Sequence, residues 1–145
     1  MMENKTPEIK RISVLDVLPI RQKVMWPAKP IEYVKLPNDD VGEHFGLFLG
    51  DRLISIVSLF IKNGEAQFRK FATLEEFQDL GYGTLLLKKV MAIAQTYGVR
   101  SIWCNARVEK AGFYKKFGLS TTDKRFHKGG VEYVIMEKRL IIKNQ

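Results

Sequence analysis

Apolar and polar positions in the first quarter of the chain predict a short strand followed by a helix. Residues 9–13 are predicted to be the strand and residues 14–25 the helix, in which Pro19 should cause an early kink or a restart. All five prolines fall at position 37 or earlier. Residues 26–40 are therefore expected to be mostly loop.

From His44 onward the pattern changes to that of β-strands. Residues 44–61 contain two apolar segments around a turn at Gly50 and Asp51, which predicts a hairpin. The second segment is almost continuously apolar, as is typical of a strand that is covered on both faces. A turn at Asn63 and Gly64 then leads into another strand, so three antiparallel strands are predicted in succession.

The last of these strands breaks the expected period of two. Ala66 and Phe68 alternate correctly, but the next large apolar residue is Phe71, three positions further on. Because side chains of a strand alternate faces, either a β-bulge lies between Phe68 and Phe71 or the strand is apolar on both faces. A bulge would take backbone groups out of the pairing with the neighbouring strand and make them available to a ligand.

The second half of the chain predicts a long helix and a strand that lies parallel to the one before it. Helical spacing is shown by Leu86, Val90, Ile93, Ala94 and Tyr97. Gly98 supplies a C-terminal stop for this helix, and residues 100–105 form the next strand. The strands that end near Thr73 and Asn105 are expected to run parallel, joined by a right-handed crossover.

The remaining segments predict one more helix and a final hairpin. Residues 107–118 are predicted to be a helix that ends at Gly118. Two further strands, residues 119–126 and 131–140, are predicted around a turn at Gly129 and Gly130. The order of elements is therefore antiparallel strands, then strand–helix–strand–helix, then a hairpin.

Length and composition indicate the class of protein. The 145 residues, 46% hydrophobic and 28% charged, predict a single compact domain spanning 1–145. No apolar run approaches the roughly 20 residues of a membrane helix, and the first residues lack the apolar segment of a signal peptide, so no membrane partner is expected. A single cysteine, Cys104, precludes an intramolecular disulfide and fits a reducing cytoplasm, so a cytoplasmic location is expected.

The formal net charge of +8 indicates an anionic partner without identifying it. Nucleic acid, an acidic protein surface and a phosphorylated cofactor all remain open, and much of the charge is expected to be ordinary solvated surface. The lysines and arginines form no block of five or more. A nucleic-acid binder with a basic tail or stripe is therefore disfavoured.

Two glycines, Gly81 and Gly83, stand just before the predicted long helix. A P-loop would have lysine after the second glycine, where Thr84 stands, and a dinucleotide-binding fingerprint would have a third glycine at the position of Leu86. What remains is a loop whose glycines let a ligand approach the backbone, at a helix N-terminus that suits a diphosphate. The alternative is an ordinary turn in which the glycines only permit a positive φ.

In combination, these segments resemble the GNAT superfamily of acyl-CoA-dependent N-acetyltransferases. The segment from Gln78 to Gly83 matches the Q/R-x-x-G-x-G/A signature, residues 68–73 occupy the place of the bulged fourth strand, and residues 113–119 resemble the Y-x-x-x-G-F element. The resemblance runs from about His44 to Leu140, and the first forty residues match only loosely. It implies an α/β (α+β) fold with a mixed, mostly antiparallel central sheet, splayed between two central parallel strands and flanked by helices on both faces.

The resemblance implies acetyl-CoA as co-substrate and no metal. The pantetheine arm would pair with the backbone of Phe71 and Thr73 in the splayed gap, and the pyrophosphate would rest on the N–H groups of residues 79–84, with the Thr84 hydroxyl as an added donor. The predicted cofactor-binding residues are Phe71, Ala72, Thr73, Gln78, Asp79, Leu80, Gly81, Tyr82, Gly83, Thr84 and Arg107.

Three positions depart from the family pattern. Asp79 stands where glycine is usual, and a carboxylate beside a diphosphate is unfavourable unless it points outward or pairs with a base such as Lys110 or Arg107. Arg107 stands where asparagine is usual; it could reach the phosphates or ribose of the cofactor, or be a surface arginine. Leu119 replaces the final phenylalanine, a mild apolar exchange.

The implied chemistry is acetyl transfer to a primary amine in a ternary complex. Tyr114 is the implied general acid for the CoA thiolate, because a phenol with a pKa of about 10 can protonate a thiolate of similar basicity. Its alternative role is that of a core tyrosine. The backbone N–H at the bulge, at Phe71, would polarise the thioester carbonyl.

The sequence does not identify the general base or the acceptor. The candidates for the base are Glu32, Asp39, Asp40, Glu43, His44, His127 and Glu132. His44 is the best single guess, although a structural or surface histidine is the favoured interpretation. Cys104 is interpreted as a buried structural thiol rather than a nucleophile. The loop that contains Trp26 and Tyr33 is expected to form part of the acceptor wall.

The leading hypothesis is therefore an acetyl-CoA-dependent N-acetyltransferase. One alternative is a catalytically silent acyl-CoA-binding regulatory domain; the least favoured is a basic nucleic-acid-binding module. The expected partners are acetyl-CoA and an amine acceptor, and the basic, aromatic-bearing final hairpin could serve a homodimer.

Overall fold

The computed structural model describes residues 5–140. In chain order, the elements are strand β1 (Pro7–Ile12), helix α1 (Val14–Met25), two 3₁₀ helices (Ile31–Val34 and Asp39–Val41), strands β2 (Glu43–Leu49), β3 (Arg52–Lys62) and β4 (Glu65–Thr73), a 3₁₀ helix (Glu75–Phe77), helix α2 (Tyr82–Thr96), strand β5 (Ser101–Arg107), a 3₁₀ helix (Val108–Lys110), helix α3 (Ala111–Lys115), and strands β6 (Ser120–Lys128) and β7 (Val131–Arg139).

The strands form a seven-stranded sheet in the order β1-β2-β3-β4-β5-β7-β6. The β4–β5 pair is parallel, joining Glu65–Gln67 to Ser101–Trp103, whereas the β1–β2, β2–β3, β5–β7 and β6–β7 pairs are antiparallel. This confirms the predicted mixed, mostly antiparallel sheet with helices and with a central parallel pair. The splay between β4 and β5 stays a prediction.

The described residues divide into two compact units, and the single domain predicted for 1–145 stays a prediction. The first unit comprises the described residues up to Phe60 together with Lys70–Val90. Its β2–β3 hairpin turns at Gly50 and Asp51, as predicted. Its fully buried apolar side chains include Val17, Leu47, Ile54, Ile56, Leu86 and Val90.

The second unit comprises Ile61–Arg69 and the described residues from Met91 onward. Arg100 holds the turn before β4, because its guanidinium donates to the carbonyl of Asn63 at 2.8 Å and its backbone N–H donates to that of Gly64, also at 2.8 Å. Its buried apolar side chains include Ala66, Phe68, Ile102, Ala106, Leu119, Val134 and Met136.

Helix α1 has the predicted bounds but no restart. The helix begins after Ser13, whose backbone N–H donates to the Asp16 carboxylate at 3.0 Å, and it continues through Pro19 to Met25. A proline in the sixth helical position removes one N–H donor, while the flanking residues keep the helix continuous. Of the two alternatives predicted at Pro19, the restart is therefore wrong, and the kink stays a prediction.

Helix α3 is shorter than predicted. Residues 107–118 were expected to be one helix, whereas Arg107 ends β5, Val108–Lys110 form a 3₁₀ helix, and α3 covers only Ala111–Lys115. The backbone of Gly118 has a φ of +91°, which ends the helical segment.

Within residues 5–140, no helix is long and apolar enough to span a membrane.

Candidate functional site

The end of β4 contains the predicted break. Lys70 has a φ of +56°, a left-handed conformation that L-residues seldom adopt within a strand. This residue lies between Phe68 and Phe71, so the irregular period in the sequence corresponds to a real interruption of the extended backbone. The break lies immediately before the residues predicted to contact the cofactor.

Beyond the break, the direction of the backbone groups follows from the bonds to β3. The N–H of Leu74 donates to the carbonyl of Ile54 at 2.9 Å, and the hydroxyl of Ser55 donates to the carbonyl of Ala72 at 3.2 Å. Because backbone groups alternate sides along a strand, those of Phe71 and Thr73 face the opposite edge of β4. That edge is the one predicted to pair with the pantetheine arm.

The loop between β4 and α2 is anchored at two points. The side-chain amide of Gln78 donates to the carbonyl of Thr73 at 2.8 Å, which ties the loop back to the end of its strand. Arg52 forms an ion pair with Glu76 at 2.7 Å, and its guanidinium lies 5.0 Å from the ring centroid of Phe77. Gln78, predicted to bind the cofactor, thus also fixes the shape of the loop.

The two glycines of this loop serve different purposes. Gly81 has a φ of +91°, and a Cβ built on it would have nothing within 4 Å. Gly81 is therefore required by its backbone conformation. A Cβ on Gly83 would instead lie 2.9 Å from the Phe71 ring and 3.2 Å from the Thr73 hydroxyl, so Gly83 is required by the close approach of α2 to the end of β4.

The start of α2 has the properties of an anion site. The N–H of Leu85 donates to the carbonyl of Gly81 at 3.1 Å, which opens the helical ladder. The N–H groups of residues 82–84 precede that ladder and carry the partial positive charge of the helix N-terminus. The Thr84 hydroxyl belongs to the same turn, and Leu80, in the loop that precedes the helix, is 64% exposed. This end of the helix can bind a diphosphate.

Asp79 lies in this loop with an unusual backbone. Its φ is +62°, in the left-handed region, and its side chain is exposed. Among residues 5–140, no ion pair or hydrogen bond involves its carboxylate. The alternative of a salt bridge to Lys110 or Arg107 stays a prediction. Exposure by itself does not distinguish a carboxylate that points outward from one that faces the proposed diphosphate site.

Tyr114 lies on α3 in the second unit. Its ring centroid is 5.8 Å from that of Phe68 and 5.3 Å from that of Phe113, so aromatic side chains line its ring. Burial raises the pKa of the Tyr114 phenol well above its usual value, the neighbouring Cys104 adds to this rise, and the positive charge of Arg107 opposes it. The phenol is therefore protonated throughout the physiological pH range.

Cys104 and Arg107 are both on β5. Cys104 is buried, and this burial raises the pKa of its thiol to about 12. Such a thiol is almost never a thiolate at neutral pH, which favours the structural role expected from the sequence. Arg107 is partly buried at the C-terminal end of the strand, and its predicted contact with the cofactor stays a prediction.

A buried polar network in the first unit has no signal in the sequence. Arg21, which has no exposed surface, donates to both carboxylate oxygens of Asp39 at 2.8 Å. It also donates to the carbonyl of Val34 at 3.0 Å and to the hydroxyl of Ser58 at 2.9 Å. The two charged partners are 18 residues apart, so no local spacing could have predicted the pair. We call Arg21, Asp39, His44 and Ser58 the buried polar cluster.

The cluster bears on two candidates for the general base. The His44 ring nitrogens lie 2.7 Å from the hydroxyl of Ser58 and 2.9 Å from the carbonyl of Asp39, which favours the structural interpretation of His44. Burial tends to raise the pKa of Asp39, but the hydrogen bonds and charge of Arg21 and the N–H of Leu36 hold it below its usual value overall. A carboxylate held as an anion in this way is a poor base.

The structure also bears on metal binding and on the loop expected to form the acceptor wall. Within the described ranges, no three His, Cys, Asp or Glu side chains are grouped so as to hold a metal ion. Trp26 and Tyr33 form an edge-to-face pair with centroids 5.1 Å apart, and the Lys29 ammonium lies 5.0 Å from the Tyr33 centroid. The role of this loop towards an acceptor stays a prediction.

Comparison with known proteins gives consistent matches over most of the chain. The Acetyltransferase (GNAT) domain family matches residues 34–140. A Bacillus subtilis (strain 168) protein named uncharacterized N-acetyltransferase YitI is 33% identical over 143 residues, which cover 92% of this chain and 96% of the relative.

Solved structures share the fold at low sequence identity. The ribosomal-protein-S18-alanine N-acetyltransferase from Escherichia coli is 16% identical, with a TM-score of 0.78 and 97% of each chain covered. A GNAT family acetyltransferase from Elizabethkingia anophelis with acetyl-CoA bound is 18% identical, with a TM-score of 0.71, covering 92% of this chain and 98% of its own. On the family match and the YitI relative together, this chain belongs to the GNAT family of acetyltransferases.

Proposed function

We propose that this protein is an N-acetyltransferase that moves an acetyl group from acetyl-CoA to a primary amine by direct transfer in a ternary complex. The observation that carries the proposal is the Gln78–Thr84 loop. It combines a left-handed glycine, a close approach of α2 to β4, and a helix N-terminus that can bind a diphosphate. The acetyl-CoA bound to the Elizabethkingia anophelis relative supports the same ligand.

In this proposal, the first unit holds the cofactor through backbone groups. The N–H groups of residues 79–84 and the Thr84 hydroxyl bind the diphosphate, and the outward edge of Phe71 and Thr73 pairs with the pantetheine arm. Ala72 supports this edge, because its carbonyl accepts from Ser55 and so directs its own backbone towards β3. Arg107 is proposed to contact the phosphates or the ribose.

Tyr114 is proposed to act as the general acid. Acetyl-CoA supplies a thioester, in which the bond from the acetyl carbon to sulfur breaks as the bond to the amine nitrogen forms, and the proton that the nitrogen loses passes to water. Tyr114 is proposed to give its proton to the departing thiolate. Burial raises the pKa of its phenol, so the phenol carries its proton before transfer but is a weaker acid than the matched phenol expected from the sequence. The Phe71 N–H is proposed to stabilise the charge that develops on the carbonyl oxygen.

The proposal is tested first by binding. Saturating acetyl-CoA should raise the melting temperature, because a ligand at 100 times its Kd adds about 2.7 kcal/mol to the free energy of unfolding. Release of CoA thiol is then followed with a panel of primary amines. The absence of any stabilisation by acetyl-CoA, with the protein folded, would contradict the proposal as a whole.

Tyr114→Phe separates an enzyme from a silent binding domain. The variant should keep its stabilisation by acetyl-CoA but lose about 100-fold or more of the rate of thiol release, because it removes only the phenolic proton. Tyr97→Phe, at a tyrosine that is 45% exposed just after α2, is the matched control and should keep the rate. If the wild type binds acetyl-CoA but releases no thiol with any amine, the silent domain is the better reading.

A further inference from the structure

We propose that Asp79 limits the affinity of the Gln78–Thr84 loop for CoA and its acyl esters. The inference rests on the proposed function, since it assumes that the loop holds the CoA diphosphate. It concerns a residue at which this chain has aspartate where glycine is usual in the family. It predicts that the wild-type loop binds its ligand less tightly than the same loop without this carboxylate would.

The backbone at Asp79 has a conformation that suits glycine better than aspartate. A φ of +62° is a conformation that glycine adopts freely and that a residue with a Cβ adopts at a cost. Glycine would therefore relax this position, yet the chain carries a charged side chain there. Because the side chain is exposed and makes no ion pair or hydrogen bond among residues 5–140, no internal contact of the fold accounts for the carboxylate.

The segment before α2 is acidic. The seven residues from Leu74 to Leu80 contain three carboxylates, on Glu75, Glu76 and Asp79, and no basic residue. Arg52 pairs with Glu76 at 2.7 Å, whereas no ion pair of the described part of the chain involves the other two. A segment proposed to bind a doubly charged diphosphate is therefore itself acidic.

Asp79 is the carboxylate of the three that lies nearest in sequence to α2. It precedes the first helical residue, Tyr82, by three positions, so its charge and the diphosphate would both act at the same helix N-terminus. Two like charges there repel, and the repulsion lowers the affinity for any ligand with a diphosphate. A ligand without a diphosphate would be unaffected, and added salt would screen the effect.

The test is the Kd of CoA for the wild type, Asp79→Asn and Asp79→Gly, measured by titration calorimetry. Asp79→Asn removes the charge and keeps the side chain, while Asp79→Gly removes the charge and relaxes the backbone. Asp123→Asn, at an exposed β6 residue in the second unit, is the matched loss of one negative charge. Circular dichroism establishes that each variant is folded.

Both Asp79 variants should bind CoA about 3- to 10-fold more tightly at about 20 mM salt, and the gain should shrink to less than about 2-fold at about 500 mM. Asp123→Asn should match the wild type within about 2-fold. The gain should persist with 3′-dephospho-CoA, which keeps the diphosphate, and vanish with acetyl-pantetheine, which lacks it.

Three results would overturn the inference. If Asp79→Asn binds CoA no more tightly than the wild type, the charge of Asp79 does not limit the affinity. A gain seen only in Asp79→Gly assigns the effect to backbone strain. An equal gain for Asp123→Asn makes it a property of the net charge. The proposed function fails in a different way, by the absence of CoA binding to the folded wild type, and the inference then fails with it.

Discussion

Truncation of Asp39 should destabilise the protein strongly, because it would leave Arg21 as an unpaired buried charge. Arg21 has no exposed surface, and its Nε atom already has no hydrogen-bond partner among residues 5–140. Asp39→Ala removes two charge-assisted hydrogen bonds of 2.8 Å and leaves only the contacts to the Val34 carbonyl and the Ser58 hydroxyl.

Breaking a buried ion pair from one side costs about 3 to 5 kcal/mol, and two hydrogen bonds to a charged group give a similar total. This is a large part of the 5 to 15 kcal/mol by which a domain of this kind is usually stable, so Asp39→Ala should unfold at a much lower urea concentration. The measurement is equilibrium urea unfolding followed by circular dichroism.

The neighbouring residue offers a matched control. Asp40 is exposed and forms no ion pair among the described residues, so Asp40→Ala should change the free energy of unfolding by less than about 0.5 kcal/mol. The double variant Arg21→Met/Asp39→Leu should lose much less than the sum of the two single losses, because neither charge is then left unpaired. A loss below about 1 kcal/mol for Asp39→Ala would refute the reasoning.

The same pair makes stability depend on pH. The pKa of Asp39 in the folded protein is lower than its ordinary value of 3.8, so the ion pair contributes fully above that value and its contribution is lost as the pH falls through the lower folded pKa. The difference in stability between wild type and Asp39→Ala should therefore narrow below about pH 4. Urea unfolding at a series of acidic pH values measures this narrowing.

Three further outcomes are expected. Cys104 should not react with a thiol reagent at pH 8 in the native protein but should react fully in urea, because burial raises the pKa of its thiol to about 12. The reaction is followed by absorbance, and rapid labelling of the native protein would contradict this expectation. Thr84→Ala should weaken CoA binding by about 3- to 10-fold in calorimetry, because it removes the hydroxyl that donates to the diphosphate. An unchanged Kd would show that the Thr84 hydroxyl does not contact CoA. His44→Ala should lower the free energy of unfolding by about 1 to 3 kcal/mol without changing the Kd of CoA, since it leaves the Ser58 hydroxyl and the Asp39 carbonyl without their partner.

The sequence predicted the sheet well because its turns and periods are local signals. Asn63 and Gly64 mark a tight turn between two strands, and their positive φ values of 54° and 76° are the conformations that this pair of residues favours. The three-residue spacing from Phe68 to Phe71 likewise predicted a break in the strand, where Lys70 is left-handed. Each of these features is encoded within a few residues.

The features that the sequence did not predict depend on contacts between distant residues or on weak local preferences. The buried polar cluster joins α1 to residues 18 to 37 positions away, so no local pattern paired Arg21 with Asp39, which was named only as a candidate base. The segment 107–118 has helical spacing, but Gly112 and Gly118 lower its helix propensity, and α3 covers only five residues. The left-handed backbone of Asp79 could be suspected only from the glycine that the family signature has there.

The close approach at Gly83 affects how related sequences should be compared. A side chain at this position would collide with Phe71 and Thr73 whether or not a cofactor is present. A descendant of this protein that had lost acetyl transfer would therefore still favour a small residue at position 83, because a larger side chain there would force Phe71 or Thr73 to shift. Thr84 has no such constraint, since no hydrogen bond within residues 5–140 involves its hydroxyl. Variation at Thr84 is thus the more informative guide when active members of this family are sorted from those that have lost their cofactor.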